Sequence, residues 1–327
     1  MPRERSSGEG SAALNDFAPQ RAHAAAEVLA GLNAPHKSIP TWLLYDARGM
    51  ELFEAICQTD EYYLTRTELS ILRENIQEMA DLIGPETLLI EYGSGTGQKT
   101  QLLLDHLKEP VAYIPIEISR EALRQATKEL CERYPTLPVL PVCADYTSHY
   151  ELPELPFEPA RRAVFFPGST IGNFEPEEAK NFMSHIAETV GKGGSVLVGV
   201  DLHKDAETLE KAYDDAAGIT AEFELNALEH INREFDANFR RDRFEYRSFY
   251  NRELQRIEMY LVSRERQNVR VDRTEIEFAE GEHILTEYSQ KFTIEGFRSF
   301  AAEAGFSVGR VWLDDRSLFS VQYLERA

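Results

Sequence analysis

Cysteine is scarce in this chain. Cys57, Cys131 and Cys143 are the only three in 327 residues, too few and too scattered for a disulfide framework or a zinc site. Positive charge is scarce too: 35 Lys and Arg stand against 56 Asp and Glu, a net charge of −21. An excess of that size repels phosphate backbones and anionic lipid surfaces, so no nucleic acid and no membrane are expected as partners. No apolar run approaches the roughly 18 residues of a spanning helix. The N-terminus, MPRERSSGEGSAALND, lacks the apolar stretch of a secretory signal, and a cytoplasmic location is expected. The eight histidines show no H-x-x-x-H or similar spacing, so no metal is expected. There is no internal repeat, and nothing marks an obligate protein partner. What is there is a 43% hydrophobic chain, enough for a real core, and the reading is of an acidic enzyme acting on a small molecule.

Residues 1–15 are Ser, Gly, Ala and charge, and read as a disordered tail. An Ala-rich helix over 17–32 is broken by Pro35 and Pro40. Thr65 and Glu68 have the form of a capping box opening an amphipathic helix through Leu69, Leu72, Ile76, Met79 and Ile83. Strand and helix then alternate. LLIEYG (88–93), VAYIPIEI (111–118), PVLPVCAD (138–145), RRAVFFPG (161–168) and GSVLVGVDL (194–202) are apolar strands. Between them lie helices capped at Ser119 and started at Pro176. Near-continuous apolar strands separated by helices predict a parallel, doubly wound α/β sheet. After Asp201 the pattern changes to charged helix over 204–240, a strand at 256–263 and another around 269–278. The chain closes with a helix and two strands around Asp314-Asp315, a hairpin. Six arginines between 240 and 256 are interleaved with Asp242, Glu245, Glu253 and Glu258, a salt-laced surface rather than a basic patch.

The most informative segment is Glu91-Tyr92-Gly93-Ser94-Gly95-Thr96-Gly97, where a first strand meets a first helix. Glycines there let the backbone approach a ligand closely. A dinucleotide fingerprint would need glycine at 98, which is Gln98. The spacing acid-x-G-x-G-x-G instead resembles motif I of S-adenosylmethionine (SAM) methyltransferases. Glu117 ends the second strand, where a carboxylate accepts from ribose hydroxyls. Asp145 and Tyr146 follow the third, where an acid can accept from the adenine amine and a ring can cover the base. Singly each is an ordinary turn residue; three acids at three successive strand ends are not. A parallel sheet finished by an antiparallel hairpin is also the usual shape of class I methyltransferases.

With those motifs placed, nearly the whole chain after residue 15 resembles the histidine-specific N-α-methyltransferases of ergothioneine biosynthesis. The resemblance is carried by LLYDARGMELFEAI (43–56), EYYLTRTE (61–68), IEYGSGTGQKT (90–100), FFPGSTIGNFEP (165–176), KAYDDAAGITAEF (211–223), RIEMYLVS (256–263) and LTEYSQKF (285–292). It implies that Gly93, Gly95, Lys99, Glu117, Asp145 and Tyr146 bind SAM. It implies that Tyr62 orients the substrate amine and that Gly168 lines the substrate pocket. Asn173 and Tyr213 would fix the amino-acid carboxylate, Glu287 and Ser289 would read the imidazole, and Met259 would line the ring pocket. Glu287 and Ser289 alternate by two, so one strand face carries both.

The implied reaction is three methyl transfers from SAM to the α-amine of L-histidine, giving hercynine, with no general base assigned. An N-methyltransferase of tryptophan-derived or other amino acids, and a SAM-binding protein without catalysis, are the alternatives. The expected organisation is a Rossmann-like class I methyltransferase domain from 67–201 plus 291–327. A smaller α+β substrate domain comes from 16–66 plus 202–290.

Overall fold

A computed structural model describes residues 14–18, 20–95, 97–148, 150–156 and 158–327. The chain opens with a two-residue strand β1 (Asn15–Asp16), helix α1 (Arg21–Leu32), strand β2 (Lys37–Ser38) and helices α2 (Ala47–Ile56) and α3 (Tyr63–Ile83). The alternating region follows: β3 (Thr87–Tyr92), α4 (Gln98–Leu104), β4 (Ala112–Glu117), α5 (Arg120–Arg133), β5 (Val142–Cys143), β6 (Arg161–Phe166), α6 (Pro176–Val190) and β7 (Ser195–Asp201). Every residue of β3, β4 and β7 is buried, which is why these strands read as unbroken apolar runs. Neighbouring residues enter two different cores. Leu89, Phe165 and Leu197 pack with Ile71, Leu72 and Met79 of α3, whereas Ile90, Phe166 and Val198 pack with Phe182, Met183 and Ile186 of α6.

Beyond β7 lie α7 (Ala206–Tyr213), α8 (Ile219–Glu234), β8 (Phe244–Asn251), β9 (Arg256–Ser263), β10 (Gln267–Val271), β11 (Thr274–Phe278) and β12 (His283–Gln290). Helix α9 (Ile294–Glu303) and the hairpin β13 (Phe306–Leu313) and β14 (Phe319–Arg326) end the chain. The large sheet has the order β1-β5-β4-β3-β6-β7-β14-β13. It is parallel from β1 to β7, and β14 runs antiparallel to both β7 and β13. This is the expected shape, a parallel sheet finished by an antiparallel hairpin. A second sheet, β2-β12-β9-β8, and the β10-β11 hairpin stand apart from it.

Several sequence expectations shift. Helix α3 begins at Tyr63, with Tyr62 in the cap position, so Thr65 and Glu68 are interior and form no capping box. Glu68 is instead buried and bonded across the fold, and that buried use outweighs the local cap signal. The true capping box is Glu175 with Glu178, at the predicted Pro176 start of α6. The strand expected over 138–145 shrinks to Val142–Cys143, with one bridge from Val139 to Tyr113. Pro138 and Pro141 cannot donate to a ladder. The strand expected at 269–278 is two strands, β10 and β11, paired from Gln267↔Phe278 to Val271↔Thr274. The arginine-rich stretch contains strand β8, while its ion pairs, Arg240 with Asp242 and Arg256 with Glu258 at 2.8 Å, match the salt-laced reading. Asn15, placed in the tail, pairs with Val142, and Asp16 with Cys143, so β1 edges the large sheet. The rest of the expected tail, 1–13, lies outside the described residues.

The two sheets meet where a short helical turn, Thr170–Asn173, presses on β12. A Cβ at Gly172 would stand 2.8 Å from the Gln290 carbonyl oxygen and 3.1 Å from its nitrogen. Only glycine allows that approach, and it sets Asn173 beside Glu287.

Candidate active site

The glycine loop is shaped by its backbone. Gly93, Gly95 and Gly97 have φ of 71°, 47° and 70°, a region costly for side chains. A Cβ built on Gly93 or Gly95 meets no atom of the described residues beyond its chain neighbours within 4 Å, so the loop borders open space at the carboxyl ends of the strands. The Ser94 hydroxyl is buried there without a hydrogen-bond partner among the described residues. An orphaned hydroxyl beside a glycine-lined cradle suits a polar ligand such as SAM.

The three strand-end acids divide into separate tasks. Glu91 is buried and accepts from the Thr100 hydroxyl at 2.8 and 2.6 Å and from the Tyr113 hydroxyl. Burial pushes it up to about 8, and its bonds tie α4 to the sheet behind the loop. Glu117 accepts from the backbone N–H groups of Ile118 and Ser119 at 2.9 and 3.1 Å and faces the Gly95 amide. Asp145 accepts from Thr147 N–H at 2.9 Å and from the hydroxyls of Thr147 and Ser148 at 2.6 and 3.2 Å, which caps its own turn. Tyr146 stands in an aromatic cluster with Tyr92, Phe166, Phe174 and Phe182, at centroid distances of 5.4–6.4 Å. Burial raises its hydroxyl well above its ordinary value, and Glu117 and Glu287 both act on it in the same direction. Tyr146 therefore stands between Glu117 and Glu287.

Lys99 donates to Glu68 at 2.5 Å, and Glu68 accepts from the Gly168 N–H at 2.9 and 3.0 Å. Lys99 and Gly168, assigned to different ligands by the sequence, are thus joined through one buried acid.

The remaining predicted residues come together, but crosswise. Asn173 donates to Glu287 at 2.9 Å. The hydroxyls of Tyr213 and Ser289 are 2.7 Å apart. Each expected couple therefore gives one member to each contact. Met259 lies directly across the ladder from Glu287 and is buried. A register shift between Leu285 and Glu287 inserts Thr286 into β12. Such bulges re-aim a side chain. Tyr62 packs edge-on against Tyr213 at 6.0 Å, and its hydroxyl has no hydrogen-bond partner among the described residues. Burial raises that hydroxyl well above 10, so it stays a neutral phenol.

Sequence reasoning missed several groups. Tyr45, inside the segment 43–56, donates to Glu287 at 3.2 Å. Burial and the nearby Glu224 push Glu287 up to about 8. Glu224 is itself wholly buried and finds no close hydrogen bond among the described residues: the Thr286 hydroxyl that acts on it donates instead to the Met259 carbonyl at 3.1 Å. Burial takes Glu224 up to about 7. Lys291 and Asp201 are fully buried and paired at 2.7 Å, and Lys204 meets the same carboxylate at 2.7 Å. The signal for Lys291 was the alternation Glu287, Ser289, Lys291, polar at every second residue. Among the described residues, no three His, Cys, Asp or Glu side chains are grouped to hold a metal, and no helix is long and apolar enough to cross a membrane.

Comparison with known proteins now decides the family. The family described as histidine-specific, SAM-dependent methyltransferases matches residues 24–326. The chain belongs to that family. This methyltransferase is 42% identical over 305 residues to a histidine N-α-methyltransferase of Mycolicibacterium smegmatis, covering 92% of this chain and 94% of that protein. It is 38% identical over 300 residues to one of Mycobacterium tuberculosis, covering 90% and 92%. It is also 26% identical over 328 residues to an L-tryptophan methyltransferase of Psilocybe serbica, covering 91% of each.

Proposed function

We propose that this methyltransferase transfers three methyl groups in succession from SAM to the α-amine of L-histidine, forming hercynine. SAM supplies an electrophilic methyl on a sulfonium. Gly93, Gly95, Lys99, Glu117, Asp145 and Tyr146 are its contacts in this reading; Lys99 reaches it from the Glu68 pair and Asp145 with the lone pairs its turn leaves over. Asn173 and Tyr213 take the substrate carboxylate, Glu287 and Ser289 the imidazole, and Met259 and Gly168 the pocket walls. The domain division and a cytoplasmic setting belong to the same reading.

The observation that carries it is the convergence on one buried carboxylate, Glu287, of Asn173, Tyr45 and Met259 from three separate elements. An acid held there is costly unless a polar ring meets it. An indole offers one N–H and no acceptor, so tryptophan satisfies this site less well.

Catalysis is mainly positioning, since a free amine titrates within a few units of neutrality and needs no strong base. Tyr62, neutral and with an unspent hydroxyl, orients the amine lone pair toward the methyl. Its raised pKa argues against service as a base. The test is turnover of L-histidine and L-tryptophan with SAM, read by mass spectrometry. Mono-, di- and trimethylated histidine in sequence supports the reading; methylated tryptophan alone, or no turnover, defeats it.

A further inference from the structure

We infer that Lys291 is a positioning residue that makes the Tyr213–Ser289 hydroxyl pair a hook for the substrate carboxylate. The inference rests on the reading of Tyr213 and Ser289 as substrate contacts. Lys291 does not touch the substrate itself. Its ammonium donates to Asp201 at 2.7 Å, to the Tyr213 hydroxyl at 2.8 Å and to the Ser289 hydroxyl at 2.7 Å, which spends all three protons. The two hydroxyls are also bonded to each other at 2.7 Å. One hydroxyl proton fills that bond, so the pair has a single proton left to present outward.

Two protonation patterns satisfy this triangle. If Tyr213 donates outward, Ser289 donates to Tyr213 and shows the substrate only a lone pair. If Ser289 donates outward, Tyr213 shows only a lone pair, which repels a carboxylate. The pair cannot donate to a carboxylate and to a ring nitrogen together.

Charge selects between them. Asp201 carries one negative charge, and both Lys291 and Lys204 bond to it, with the Tyr63 hydroxyl donating at 2.7 and 2.9 Å. Asp201 and Lys291 are fully buried and Lys204 nearly so. Asp314, only partly buried, offsets Lys204 in part, and burial lowers Lys204 to about 8; the positive charge left over is costly to bury and is relieved by an anion at the open corner. The anion that an amino acid brings is its carboxylate. Tyr213 therefore donates outward, and Ser289 accepts from a ring N–H. Glu287, protonated below about 8, is then the group able to donate to the other ring nitrogen.

The test compares L-histidine with L-histidine amide, which keeps the amine and ring but lacks the anion. In the wild type the amide should have a KM roughly ten- to a hundredfold above that of histidine, the scale of a charge-assisted hydrogen bond. Lys291→Met should raise the KM of histidine toward that of the amide, move the amide little, and change kcat less than about threefold. S-adenosylhomocysteine affinity and thermal midpoint report whether the variant is folded. A folded Lys291→Met that keeps the full histidine-to-amide ratio overturns the inference. If Lys291→Met loses S-adenosylhomocysteine binding, Lys204→Met decides. It removes the second cation without touching Tyr213 or Ser289, so the ratio should shrink, and an unchanged ratio overturns the inference. Equal use of acid and amide by the wild type would overturn the underlying substrate reading, and this inference with it.

Discussion

At the glycine-loop end of the cleft, the chain offers mostly backbone: three glycines with positive φ, and a Glu117 carboxylate held by the amides of Ile118 and Ser119. At the end proposed for the amino acid it offers side chains from distant places: Tyr45, Asn173, Tyr213, Glu287, Ser289 and Lys291. A backbone site is fixed once its strand ends and turns are fixed, so it changes by all-or-none substitutions. A site of converging side chains can be tuned residue by residue, at the cost of burying charge. The acids show the contrast. Glu91, behind the loop, has hydrogen bonds on both oxygens, whereas Glu224, behind the pocket, has among the described residues only the Thr286 hydroxyl acting on it.

The sharpest break is at the backbone end. Gly95→Val places a branched side chain at φ 47° in the space that the loop borders. S-adenosylhomocysteine affinity, measured by titration calorimetry, should fall more than about a hundredfold while circular dichroism stays native. Retained affinity in a folded variant would mean that the loop does not cradle the ligand.

Glu224 offers the next largest effect. Its pKa is raised in the fold from 4.5 to about 7, so the folded state holds the proton more tightly than the unfolded chain. The stabilisation is therefore present below about pH 4.5 and lost as pH rises through 7, on the order of 3 kcal/mol. Glu224→Gln should remove that part of the slope, leaving a variant more stable than wild type at pH 8.5 but not at pH 5 in urea unfolding. Parallel pH profiles would show that the carboxylate has a partner in solution.

Glu287→Ala tests the tunable end. Removing a hydrogen-bonding carboxyl group from the ring is worth about 1.5–3 kcal/mol, a loss of roughly 10- to 150-fold in kcat/KM for histidine. Tryptophan should lose less, so an unchanged histidine-to-tryptophan ratio would place imidazole recognition elsewhere. The smallest effect is expected at Ser94. Its buried, unpaired hydroxyl should gain a partner from the ligand, so Ser94→Ala should weaken S-adenosylhomocysteine by about 1 kcal/mol, near fivefold. Unchanged affinity would leave the hydroxyl without a task.

The difference between the two ends also explains what could be read in advance. The parallel strands were legible because their burial on both faces forces continuous apolar runs, and the α6 start because Pro176 suits a first turn. Strand β8 was hidden because its residues alternate between half-buried and exposed, with Arg247 and Glu245 pairing at the surface. Strand β1 is two residues long, below any periodic signal. The glycine loop is contiguous in sequence, so its spacing could be checked directly. Asp201 and Lys291 lie 90 positions apart and became a pair only when the crossover between the sheets brought β7 beside the end of β12. Resemblance named Glu287 and Ser289, but the crosswise contacts with Asn173 and Tyr213 are a product of three-dimensional packing that no local pattern carries.

The absent side chain at Gly172 has a consequence for how this protein can diversify. With a methyl group there only 2.8 Å from the Gln290 carbonyl oxygen, alanine fits only if the end of β12 retreats by some tenths of an ångström. That strand carries Glu287, Ser289 and, one step past its end, Lys291. One carbon atom added outside the pocket would therefore move Glu287, Ser289 and Lys291 together, without altering any of them. Redesign toward a bulkier amino acid has a lever at position 172 that acts through spacing, beginning with the 2.9 Å contact between Asn173 and Glu287.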